Sequence, residues 1–259
     1  MLAAMGLGVS SGGKPLIADI DAAVAPGRLT AILGPNGAGK STLLACLAGL
    51  RVPDAGEVRL DGAPLAGLTP RDRARRIGYL PQDAPLHWNI AVRPLVALGR
   101  FPHGDAASAT GRAAIDRALA ETDLAPFAGR LAGTLSGGER ARAMLARVLA
   151  GAPDWILADE PLAALDIAHR HAMMDRLRAI AARGVGVIVV LHDLALAARM
   201  ADDVLLLDGG RLVAAGPVHE VLTPERLGAV FGVDFAYVAS GDGEPVLVSA
   251  WRGVEGRRP

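Results

Sequence analysis

A single cysteine, Cys46, is all that the 259 residues contain, so an internal disulfide and a cysteine-only metal site are excluded. That usage fits a reducing compartment. Aromatic residues make up only 3% of the chain, and none precedes Tyr79. Net charge is also lacking: 27 basic side chains stand against 27 acidic ones, so no basic field argues for nucleic acid. No segment approaches the roughly 20 consecutive apolar residues that a membrane-spanning helix needs, although 51% of the chain is hydrophobic. The opening MLAAMGLG has no basic leading segment and only a short apolar stretch, unlike a secretory signal. A soluble cytoplasmic protein is the expectation.

What is present is an alternation of short apolar runs and longer stretches of helical period, the pattern of an α/β protein with a mostly parallel sheet. LTAIL (29–33), WILA (155–158), GVIVVL (186–191) and VLLLD (204–208) read as strands buried on both faces. The strand signal disappears from Asn89 to Ala150, where helices are expected over 90–98, 113–122 and 137–149. GGRLVAAG after Asp208 reads as a hairpin, Thr223 and Pro224 as a helix start, and PVLVSA (245–250) as a strand. RDRARR (71–76), following Thr69 and Pro70, reads as a solvated helix face.

The stretch GPNGAGKST runs from Gly34 through Pro35, Asn36, Gly37, Ala38, Gly39, Lys40 and Ser41 to Thr42, directly between a strand and a helix. It meets the pattern G-x-x-x-x-G-K-[ST]. Glycines allow a sharp turn that aims backbone N–H groups and a helix N-terminus at a polyphosphate. Lys40 would reach the β and γ phosphates, and Ser41 would put its hydroxyl on Mg²⁺. WILADEP then ends a buried strand with two acids, Asp159 for Mg²⁺ and Glu160 as general base toward an attacking water. LSGGE (135–139) opens another helix: Ser136 is a natural N-cap, Gly137 and Gly138 permit close approach, and Glu139 completes a capping box. Taken alone this is a well-capped helix or a second anion-binding terminus. One phosphate face does not need two such termini unless one serves a partner.

Together these segments resemble the ATP-binding-cassette ATPases, over almost the whole chain from about Gly6 to about Tyr237. Gln82 in YLPQ matches the family's Q-loop, where Mg²⁺ and the helical part meet. Ala164, Leu165 and Asp166 match the D-loop, and His192 in VVLHD matches the switch histidine that contacts the γ-phosphate. The resemblance implies a P-loop NTPase core with a mostly parallel sheet and an antiparallel N-terminal β part. Residues 1–88 and 151–235 would form that core, 89–150 a helical signature subdomain and 236–259 a C-terminal extension. It further implies a head-to-tail homodimer in which each phosphate loop faces the other copy's signature, with ATP and Mg²⁺ between them.

LVALGRFPH (95–103) and 191–217 are similar to importer ATPases for ferric siderophores, haem and cobalamin. The implied partners are integral-membrane permease subunits, reached from the cytoplasmic face, and an external substrate-binding protein. The permease would dock near Gln82 and 83–100, with Trp88 and Phe101 as candidate contacts. His87, His103, His169 and His171 show no compact ligand spacing, so no direct cargo binding is expected, nor any nucleic acid. A non-transport relative acting on ribosomes or nucleic acid would carry a coiled-coil insertion or two cassettes, and an inactive cassette would have lost Lys40, Glu160 or His192. An importer ATPase for another metal or small solute stays open.

The family often stacks adenine on an aromatic residue ahead of the first core strand, at a place that falls near Ser11 here, and none is present. ATP and GTP are therefore expected to be hydrolysed with similar kcat/KM. Steady-state assays with each nucleotide check this, and a preference of about a hundredfold for ATP contradicts it.

Overall fold

A strand buried on both faces feeds alternate side chains into two different cores, and the central strands of this chain do so. The computed structural model describes residues 1–82, 90–163, 165–239, 241 and 245–250. The chain opens with a hairpin of β1 (Leu2–Ser11) and β2 (Lys14–Val24). Then come β3 (Leu29–Leu33), α1 (Lys40–Leu47), β4 (Ala55–Leu60), β5 (Ala63–Pro64), α2 (Pro70–Arg76) and β6 (Ile77–Leu80). Helices α3 (Val92–Ala97), α4 (Ala109–Glu121) and α5 (Gly137–Ala150) follow. The chain re-enters the sheet through β7 (Trp155–Ala158), α6 (Ile167–Ala181), β8 (Gly186–Val190), α7 (Leu194–Met200) and β9 (Asp203–Asp208). It finishes with β10 (Arg211–Pro217), α8 (Val218–Val221), α9 (Pro224–Phe231), β11 (Asp234–Ala239) and β12 (Pro245–Ala250).

The main sheet has the order β10-β9-β3-β8-β7-β6, parallel throughout except for β10. From β3, Ile32 enters the core shared with the antiparallel sheet β2-β1-β4-β5 and α1. Its neighbours Ala31 and Leu33 enter the core shared with α3 to α7. Ile188 and Val190 of β8 follow Ile32, and Val187 and Val189 follow Ala31. Two hydrophobic layers thus clamp the sheet, which explains the nearly continuous apolar runs.

Helix ends follow side-chain chemistry. Thr69, Ser108, Ser136, Asp166, Asp193 and Thr223 each accept a backbone N–H of the first turn they precede. The capped Ser108 starts α4 earlier than the expected 113, and α3 starts later than the expected 90, because extended Ala91 forms an isolated bridge with Leu131. The 71–76 run is not simply a solvated face. Arg71 Nε and Arg75 Nε both donate to the Pro102 carbonyl, at 2.7 and 3.1 Å, and Arg76 pairs with Asp61 and Asp154. Nearby, buried Arg100 pairs with Asp105 at 2.6 Å and donates to the Ala150 carbonyl at the end of α5 at 3.0 Å. The expected strand 245–250 is β12, and its partner β11 was not foreseen. Among the described residues no helix is long and apolar enough to cross a membrane.

Trp155 on β7 stands opposite Gly186 on β8, and a Cβ at 186 would lie 2.3 Å from the fully packed indole. Gly186→Ala should therefore destabilise the chain by about 1–3 kcal/mol, and Trp155→Leu in the same background should recover part of the loss. Urea unfolding checks both; a Gly186→Ala chain as stable as the parent contradicts the packing.

Candidate functional site

The C-terminal edge of the parallel sheet is where the sequence-predicted groups meet. β3 ends at Leu33 and the chain turns at once through Gly34, whose φ is 149°. A Cβ there would stand 2.2 Å from the Leu207 carbonyl, so the turn requires glycine. Gly39, at φ 93°, would put a Cβ 2.4 Å from Ile17 and 2.8 Å from the Leu16 carbonyl. Between these two tight points the loop opens into α1, whose first-turn amides have no intrahelical acceptors.

Lys40 opens α1 and is buried, with Nζ donating to the carbonyls of Gly34 (2.9 Å) and Pro35 (3.0 Å). Burial lowers its pKa, opposed by Glu160 and Asp159. Ser41 Oγ donates to Asp159 Oδ1 at 2.9 Å. Asp159 extends the β6–β7 pairing by donating its N–H to the Leu80 carbonyl, and Tyr79 OH donates to its Oδ2 at 3.3 Å. Burial, then the Asp159 charge, pushes the Tyr79 phenol up to about 12.

Glu160 lies in left-handed backbone, φ 46°, which is uncommon for a residue with a side chain and turns it out of the strand direction. Its carboxylate is gripped from two sides. Gln82 Nε2 donates to Oε2 at 2.9 Å, and His192 Nε2 sits 2.6 Å from Oε1. Gln82 follows β6, and His192 follows β8 by two residues.

Leu16, Asn36 to Thr42, Glu160 and His192 line an open cavity of about 230 Å³. Pockets that enclose a drug-sized ligand run to roughly 300–1,000 Å³, so this cradle is small by itself. A buried cation beside a glycine-rich loop at a helix N-terminus, next to a hydroxyl and carboxylates, suits a polyphosphate with a hard divalent ion. Among the described residues no group of three or more His, Cys, Asp or Glu side chains could by itself hold a metal ion.

Residues 136–139 lie outside that cavity. Helix α5 packs on α3, α4 and β6, while α1 packs on β1, β2 and β8. Ser136 and Glu139 form the expected capping box: Ser136 Oγ accepts from Glu139 N at 3.3 Å, and Ser136 N donates to Glu139 Oε2 at 2.7 Å. The Ser136 N–H bond holds the Glu139 carboxyl below the usual range, and Arg130 pairs with it at 3.2 Å. Asp166 caps α6 and is likewise away from the cavity. Ala164 and Trp88, with His87, lie outside the described residues. Phe101 is 84% exposed.

Two participants were missed. Tyr79 is visible only through the β6–β7 register, which sets it opposite Leu157, two residues before Asp159. Leu16 reaches the loop from β2, a contact no local pattern signals.

The ABC transporter family profile matches residues 17–163. The hemin import ATP-binding protein HmuV of Pseudomonas entomophila (strain L48) is 45% identical over 239 residues, covering 90% of this chain and 93% of that one. Its namesake in Streptomyces coelicolor is 47% identical over 234 residues, covering 89% and 83%. Among solved structures, an inward-facing metal-chelate type ABC transporter superposes with TM-score 0.84 at 25% identity, covering 97% of this chain and 98% of that chain. A dimeric post-hydrolysis ATP-binding cassette, MJ0796 with ADP and Pi, gives 0.75 at 27% identity, covering 84% and 99%. With the glycine-rich 34–42 loop, Asp159, Glu160 and His192 converging on one sheet edge, the chain is an ATPase of the ABC transporter family.

Proposed function

We propose that this chain is the energy-coupling ATPase of an importer for haem or a related iron chelate, working as a head-to-tail homodimer. The dimer reading is supported by the separation just described: Lys40, Ser41, Glu160 and His192 line a small cradle, while the 136–139 helix terminus lies outside it on the same chain. A second copy would supply that terminus, carried on the helices α3 to α5. The cargo reading rests on relatives 45% and 47% identical that are named for hemin import.

In the closed dimer the backbone N–H groups of 34–42, Pro35 excepted, and Lys40 would hold the β and γ phosphates. Ser41, Asp159 and Gln82 would hold Mg²⁺, which when bound neutralises charge on the phosphate oxygens. Glu160 would accept the proton of the attacking water, with Gln82 and His192 fixing its carboxylate, and His192 would contact the γ-phosphate. The partner's signature segment and Asp166 complete the site from across the interface. Because ATP contacts both copies, binding favours the closed dimer and hydrolysis releases it.

The closing motion acts on permease subunits. The segment before α3 and exposed Phe101 are the docking candidates, and an importer ATPase docked on permease subunits in this way would lie at the cytoplasmic face of the membrane. An external binding protein would deliver the cargo, and this chain touches none of it.

Glu160→Gln tests the assignment. The purified variant should bind Mg-ATP and dimerise while hydrolysing about 10²- to 10⁴-fold more slowly, the usual worth of a general base. Cells relying on it should fail to grow on haem as iron source yet grow on free iron salts. Near-normal turnover removes Glu160 from its role, and normal growth on haem overturns the cargo reading.

A further inference from the structure

Gly138 raises a question that phosphate binding does not answer. It lies in the first turn of α5, buried, and its φ is not in the left-handed region, so its backbone conformation would accept any residue. What forbids a side chain is one contact. A Cβ at 138 would stand 2.3 Å from Cδ2, 2.7 Å from Nε2 and 2.9 Å from Cγ of His169. The imidazole therefore lies flat against the glycine, in the space a Cβ would fill.

The same ring is fixed at its other end. His169 is the third residue of α6, and Asp166, the N-cap, accepts its backbone N–H at 2.9 Å and its ring Nδ1–H at 2.7 Å, both on Oδ1. A carboxylate at this distance makes Nδ1 the protonated nitrogen. These two bonds hold the Asp166 carboxyl below the usual carboxylate range. One side chain thus joins the start of α6 to the start of α5 although 31 positions separate His169 from Gly138.

We propose that His169 is a positioning residue for the half of the composite site that this chain lends to its partner: its ring locks the 136–139 terminus and Asp166 into one rigid unit. This rests on the head-to-tail reading above, in which both segments cross the interface. If each moved separately, closure would have to order two elements instead of one. Pre-joining them removes that cost from each closing event. Gly138 is then glycine for the sake of the imidazole.

The test uses the full chain carrying Glu160→Gln, so that Mg-ATP drives closure without turnover. His169→Ala should weaken Mg-ATP-driven dimerisation about tenfold, the scale of coupling between contacting groups, and leave Mg-ATP binding by the monomer unchanged. His169→Asn, which keeps an N–H at the Nδ1 position, should recover most of the loss. Adding Gly138→Ala should cost dimerisation about tenfold or more with His169 present and less than about threefold in His169→Ala. Equal costs in the two backgrounds, an equal loss of monomer binding, or no recovery with Asn overturns the proposal. Ser136→Arg serves as the separate control. If it still closes, the head-to-tail reading fails and this proposal with it; if it is blocked while His169→Ala closes normally, only this proposal fails.

Discussion

Four parallel strands ending side by side along one sheet edge are the constraint on which the rest depends. In the order β3, β8, β7, β6 they deliver the 34–42 loop, His192, the pair Asp159 and Glu160, and Gln82. Residues scattered from 34 to 192 become neighbours because hydrogen-bonded strands lie about 4.8 Å apart. The two clamping cores fix that order, and ligand sites at the carboxyl ends of parallel strands are the general outcome for open α/β sheets. Glu160 shows how firmly the edge holds its chemistry. A strained φ of 46° persists there because Gln82 and His192 grip the carboxylate from opposite neighbours.

The edge is open on one side, and that openness is functional in this reading. A cradle that enclosed ATP alone would bind it without doing work. A cradle completed by a second copy turns binding energy into closure, and loss of the γ-phosphate into release. The arginines of α2 and the Arg100–Asp105 pair bear on the same economy, since they tie 100–105 to α2 and to the end of α5. The segment carrying exposed Phe101 is thereby fastened to the helix that carries the signature.

Much of this was legible in the sequence because the signals were local. Gly34 to Thr42 announce a phosphate loop through backbone sterics, 155–160 through a buried run ending in acids, and 136–139 through capping chemistry. The central strands matched to within a residue because both faces are buried, leaving no competing period. What escaped was non-local. Pairing of β11 with β12, the reach of Leu16 to the loop and the hydrogen bond from Tyr79 to Asp159 are set by register and packing. Arginines 71, 75 and 76 looked like a solvated run since the Pro102 carbonyl and the Asp61 and Asp154 carboxylates that they bond lie 15 to 78 positions away. His169 read as one of several uninformative histidines until its ring was found against Gly138.

The central claim is that one chain's phosphate loop meets another chain's signature segment. Asn36 and Ser136 are both exposed, and the sole native cysteine, Cys46, is buried. Mixing an Asn36→Cys chain with a Ser136→Cys chain, both in the Glu160→Gln background, and adding a short thiol cross-linker with Mg-ATP tests it directly. The account predicts a covalent heterodimer that forms only with nucleotide. No mixed product, or one equally abundant without ATP, would contradict it.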